Sequence, residues 1–151
     1  MKKIIFFLFL CTSLFAQYNL SGLKSVKIEI LDDYDCLDAF TRQKLYVETK
    51  IRLTSIGVLV DERDPVGALQ FRIDLNRSTA FADPRVLLRI ELLEKVQTFR
   101  PGATRTEAKT YSDASLQAMQ KENISQNIYS FFMDRLFLEF VDKWLGDNPK
   151  Q

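Results

Sequence analysis

Four carboxylates fall within seven residues in the stretch DDYDCLD, at Asp32, Asp33, Asp35 and Asp38. Clustered hard oxygen ligands of this kind suit a calcium ion. An EF-hand loop would need oxygen ligands at fixed alternate positions, an interior glycine and a closing glutamate, and the stretch lacks the last two. Asp35 or Asp38 equally suits the N-cap of a following helix, so the expected role is a polar capping turn with no metal. A second charged turn, Asp61, Glu62, Arg63 and Asp64, is read in the same way. Because Asp and Glu alone suffice for glycoside cleavage, a carboxylate-based hydrolase is the one enzyme class these residues leave open.

Composition removes most other chemistry. The chain has no histidine, hence no Ser-His or Cys-His nucleophile pair and none of the commonest transition-metal ligand. Its five glycines, at 22, 57, 67, 102 and 146, are too scattered for a phosphate cradle. Asn123-Ile124-Ser125 fits a glycosylation sequon, read as accidental. No enzyme activity and no cofactor are expected.

The chain opens MKKIIFFLFLCTSLFAQ: two lysines, an apolar run from Ile4 to Phe15, and a small residue at Ala16, the form of a secretory signal peptide. The run falls short of the roughly 20 residues of a membrane span. Cys11 follows Leu8-Phe9-Leu10, and a lipid-attachment motif would carry Gly or Ala where Leu10 stands. Residues 1–16 are therefore expected to be removed together with Cys11, leaving 17–151 as a single periplasmic domain with no transmembrane span. Losing Lys2 and Lys3 leaves 19 basic against 20 acidic residues, a net charge of −1. A nucleic-acid binder shows a basic excess or stripe, and neither is present. Cys36 becomes the only cysteine, which rules out an internal disulfide; it reads as a small buried apolar residue or, alternatively, a thiol paired with another chain.

Hydrophobic periodicity places the elements. Val26, Ile28 and Ile30 alternate with Lys27 and Glu29, a strand buried on one face. From Leu37 to Ile56 the chain has no Gly or Pro and reads as a helix capped by Gly57, with a short strand at 58–60. A right-handed strand-helix-strand crossover makes the two strands parallel. Leu69, Phe71, Ile73 and Leu75 form one alternating run, and Val86, Leu88, Ile90 and Leu92 another, joined through NRSTAFADP. The second strand is expected to turn at Arg100-Pro101-Gly102 and return as TRTEAKTYS, with helix from Ala114 to Leu145 broken near Lys121 to Ile124. The sum is an α+β, two-layer domain, β-α-β-β-β-β-α, with two helices on one face of a mixed, mostly antiparallel sheet. The other sheet face carries Lys27, Glu29, Gln70, Arg72, Asp74, Arg89 and Glu91, both signs interspersed, as a solvated face does.

In FFMDRLFLEFVDKWL, residues 131–145, ten of fifteen residues are apolar. On an ideal helix they fill an arc of roughly 200°, wider than the stripe of somewhat over 100° that packing on a sheet requires. The surplus either packs on the first helix or forms a partner-binding or self-association surface centred on Phe137, Phe140 and Trp144. The first helix is itself apolar on two sides, Phe40, Val47 and Ile51 on one and Leu45, Leu53 and Ile56 on the other.

The strand SGLKSVKIEI followed by the helix end and strand KIRLTSIGVLVDE resembles small exported domains of Gram-negative bacteria and, more remotely, the N-terminal α/β modules of envelope proteins such as TolB and the curli secretion lipoprotein. The shared pattern is a long helix ending in Ser55-Ile56-Gly57, then Val58 to Val60 and the acidic pair Asp61-Glu62, over about the first half of the mature chain. The resemblance implies a binding or assembly role in the envelope, without catalytic residues. The expectation is a non-enzymatic periplasmic accessory module that binds a protein partner of the cell envelope or forms a homo-oligomer. The alternative is a small-molecule or lipid-binding pocket between helices and sheet.

Overall fold

The computed structural model describes residues 20–63, 65–76, 83–97 and 105–149. The leader with Cys11, Asp64, most of the NRSTAFADP link and the Arg100-Pro101-Gly102 turn lie outside the described residues.

Alternating apolar residues build β1 (Ser25–Asp32), β3 (Gly67–Asn76) and β4 (Arg85–Gln97), to which β2 (Leu59–Val60) and β5 (Arg105–Ala118) add the two edges. They form one sheet in the order β2-β1-β3-β4-β5. β1 is parallel to both β2 and β3, whereas β3, β4 and β5 are antiparallel neighbours. This is the α+β layout expected from the sequence.

Helix α1 (Ala39–Ile56) starts where Asp38 stops the turn: its carboxylate accepts the Thr41 N–H at 2.8 Å. It ends at Gly57, whose φ of 97° is open to glycine at little cost. Thr41, Leu45, Thr49 and Leu53, spaced by four, are buried against β1 and the second helix.

The C-terminal helix has three parts: α2 (Ile124–Phe131), a π-helical turn (Phe132–Leu136) and α3 (Phe137–Asp147), preceded by a 3-10 turn at Lys121–Asn123. Its buried residues run Ile128, Phe132, Leu136, Phe140 and Tyr129, Met133, Phe137, again in steps of four. Each such step overshoots a 3.6-residue turn by about 40°, so three steps drift by about 120°. The π turn inserts one residue and takes back about 100°, which keeps Phe132, Phe137 and Phe140 on the sheet while Tyr129 and Met133 meet α1. Phe132 meets Phe71 edge-on at 5.1 Å, and Phe140 meets Tyr111 at 5.2 Å.

One boundary differs from expectation. Ala114 to Ala118 continue β5 instead of starting the helix. Ala, Leu and Gln favour helix locally, but β4 runs to Arg85 and offers a ladder partner for every residue to Ala118. Unpaired N–H and C=O groups along that stretch of β4 would cost more than the propensity returns.

The open sheet face is a charge lattice. Lys27 pairs with Glu29 at 2.5 Å, Gln70 donates to Glu29 at 2.7 Å, Arg89 pairs with Asp74, and Lys109 reaches Glu91 at 2.5 Å. Partial burial pushes the Glu29 carboxyl up, but hydrogen bonds from Lys27 and Gln70 outweigh it and hold the group below the usual carboxylate range.

Candidate functional site

Phe137 and Phe140, the first two residues of the expected partner surface, are wholly buried, and Phe137 also lies 6.0 Å from Phe71. They are core side chains and present no area to a partner. Trp144 is half-buried against the same core, with its indole Nε1 buried and without a hydrogen-bond partner. The physical reason is the π turn. An unbroken α-helix spreads the apolar residues over roughly 200°, whereas one inserted residue narrows that arc, leaving Leu138 and Leu145 as the exposed apolar residues of its flank.

The apolar surplus therefore belongs to α1. Phe40 is 78% exposed, Ile51 62% and Val47 40%. They lie at i, i+7 and i+11, about 160° around the helix from the buried Thr41, Leu45, Thr49 and Leu53, in a stripe about 16 Å long. The C-terminal helix takes a different flank of α1. Lys44 sits over the Tyr129 ring at 4.3 Å, the Tyr129 hydroxyl donates to Glu48, and Arg52 donates to the Met133 carbonyl at 3.4 Å. Burial and then the Glu48 hydrogen bond push the Tyr129 hydroxyl up to about 12, so it stays a neutral donor. The sequence signal for this stripe was the two-sided apolar pattern of the first helix.

The acidic turn is structural at two of its four carboxylates. Asp32 accepts the N–H groups of Cys36 at 3.0 Å and Leu37 at 2.9 Å, and pairs with Arg42 at 3.2 Å. Asp38 caps α1 and accepts the Ser125 hydroxyl at 2.6 Å, tying the starts of the two helices together. That hydroxyl, then the Thr41 N–H and hydroxyl, hold Asp38 down at about 2. Asp33 and Asp35 are exposed, and Cys36 is buried. In the second turn Glu62 accepts the Tyr46 hydroxyl at 3.0 Å, and Asp61 accepts the Arg63 N–H at 2.8 Å. Among the described residues no group of three or more Cys, Asp and Glu is placed to hold a metal ion.

Between helices and sheet the space is filled by Phe71, Phe132, Phe137 and Phe140. Clefts open at the surface of the described residues. One of about 210 Å³ is lined by Lys27, Glu62, Val66, Leu93 and Glu107, and one of about 410 Å³ lies between the end of β5 and the C-terminal helix, lined by Gln117, Met119, Asn127, Phe131 and Arg135. No helix among the described residues is long and apolar enough to cross a membrane.

No protein-family model matches the chain, and no curated protein matches it. Among solved structures it is similar to a minor lipoprotein from Acinetobacter baumannii, with 13% identity over 80% of this chain and 94% of that one. The TM-score is 0.31, at which the likeness carries no conclusion about fold or function.

Proposed function

We propose that the chain is a non-enzymatic accessory module of the bacterial envelope that binds a protein partner through the outer face of α1. The observation that carries this reading is the stripe of Phe40, Val47 and Ile51. Single exposed apolar residues are ordinary, but three aligned on the one helix face turned away from the core support a contact surface. Its spacing suits an apolar groove or a partner helix, read as anchors along one helix face. Burying Phe40 and Ile51 in such a groove would contribute about 1.5–3 kcal/mol each. Lys44, Glu48 and Lys50 rim the stripe and would fix register through complementary charges on the partner. Export to the periplasm with removal of residues 1–16 belongs to the same reading.

The test is Phe40→Ser combined with Ile51→Ser. Both side chains are exposed, so the circular dichroism melting curve should stay that of the wild type, while copurification of a defined envelope protein with the tagged chain is lost. Copurification that survives the double change would remove α1 as the docking face.

A further inference from the structure

The two edges of the sheet are guarded very differently. At one edge β2 is only two residues long, and past it Arg42 donates to the Ile30 carbonyl of β1 at 3.2 Å, closing part of that edge with a side chain. At the other, β5 is fourteen residues long and has no strand on its outer side among the described residues. Its first half carries two of the usual protections, a bulge opposite Leu92 and Leu93 and the lysine at 109. Its second half, Ser112 to Ala118, has no proline, no lysine and no bulge.

The direction of the backbone there follows from the ladder. Met119 N–H donates to the Pro84 carbonyl at 3.0 Å, so by antiparallel alternation Tyr111, Asp113, Ser115 and Gln117 bond inward to β4. The N–H and C=O groups of Ser112, Ala114, Leu116 and Ala118 point outward. The Ala114 N–H is consistent with this: it turns back to its neighbour's carboxylate, Asp113, at 2.8 Å, a local bond that an incoming carbonyl would replace.

We infer that two copies of the chain pair antiparallel through Ser112–Ala118 about a two-fold axis at Ser115, joining their sheets into one of ten strands. The register is self-complementary. Ala114 stands opposite Leu116 of the second copy, and Ser112 opposite its Ala118, which gives about eight main-chain hydrogen bonds. On the open face the exposed Leu116, which neighbours Leu87 across the ladder, meets a methyl group instead of water. On the helix side the single charge of the segment, Asp113, stands opposite the Gln117 amide of the second copy, so no like charges face each other. The cleft of about 410 Å³ beside Gln117 and Met119 leaves room there for the side chains of the incoming strand. A two-fold contact of this kind closes on itself and leaves no edge to propagate further at β5.

The experiment combines sedimentation of the full mature chain over a concentration series with amide hydrogen exchange of the same samples. The expected result is a dimer, with the amides of Ser112, Ala114, Leu116 and Ala118 slowing as the dimer fills. Ala114→Lys with Leu116→Lys, two exposed positions, should restore a monomer with a native circular dichroism spectrum and rapid exchange at Ser112 and Ala118. A wild-type chain that stays monomeric throughout with those four amides unprotected overturns the inference, as does a dimer that survives the two lysines.

Discussion

The two helices of this domain dispose of their apolar residues in opposite ways. The C-terminal helix carries far more of them and hides nearly all, Phe132, Phe137 and Phe140 being wholly buried. Helix α1 carries fewer and leaves Phe40, Val47 and Ile51 in water. The richer helix is thus the core element, and the poorer one presents the candidate contact surface. Apolar content alone therefore does not locate a binding face; what matters is the residue spacing relative to the backbone the chain adopts. In the C-terminal helix a π turn bends a four-residue spacing onto one face. In α1 no such turn occurs, and residues spaced by seven and four settle opposite the core.

The largest effect expected from this contrast is at Phe137. Truncating it to Ala should cost about 3–5 kcal/mol in denaturant unfolding, because a cavity opens beside Phe71 and Phe140. Phe40→Ala, the same chemical change on the other helix, should cost less than about 0.5 kcal/mol. Equal losses at the two positions would break the comparison. Trp144→Ala falls between them at about 1–2 kcal/mol, since the ring is half-buried and its Nε1 has no hydrogen bond to lose.

A smaller effect lies where the two helices meet. Asp38 has its ordinary pKa of 3.8 lowered to about 2 by the Ser125 hydroxyl and by Thr41. A carboxyl depressed by folding binds its proton more tightly in the unfolded chain. Its contribution is therefore complete above its ordinary value and lost as the pH falls through about 2. Asp147, lowered by the Leu20 N–H and then Lys143, acts in the same direction. Asp38→Asn keeps a capping oxygen but does not titrate, so its melting temperature should fall less steeply with acid than that of the wild type. Identical acid limbs would show that the bond to Ser125 does not join the helices in solution.

Much of the fold was legible because local rules and tertiary packing agree. Asp38 and Gly57 bracket α1 by capping chemistry alone, and the alternation of β1, β3 and β4 placed the charged face correctly. Two features were hidden. The extension of β5 to Ala118 depends on the length of β4, a partner that local propensity does not include. The π turn depends on packing against Phe71 and Tyr111, and without it the apolar arc of the tail looks wide enough to hold a spare surface. The outer stripe of α1 could be read as one of two apolar sides, but which side faces the sheet is decided by Leu45, Leu53 and the crossover between β1 and β2.

The central claim, that α1 presents its outer face to a partner protein, is tested most directly by photocrosslinking in intact cells. A photoreactive phenylalanine analogue is placed at Phe40, Val47 or Ile51, with Arg72 on the open sheet face as the control position. The account predicts one discrete crosslinked protein from the three α1 positions and none from Arg72. Crosslinks from Arg72 with none from α1, or none from any of the four, would contradict it.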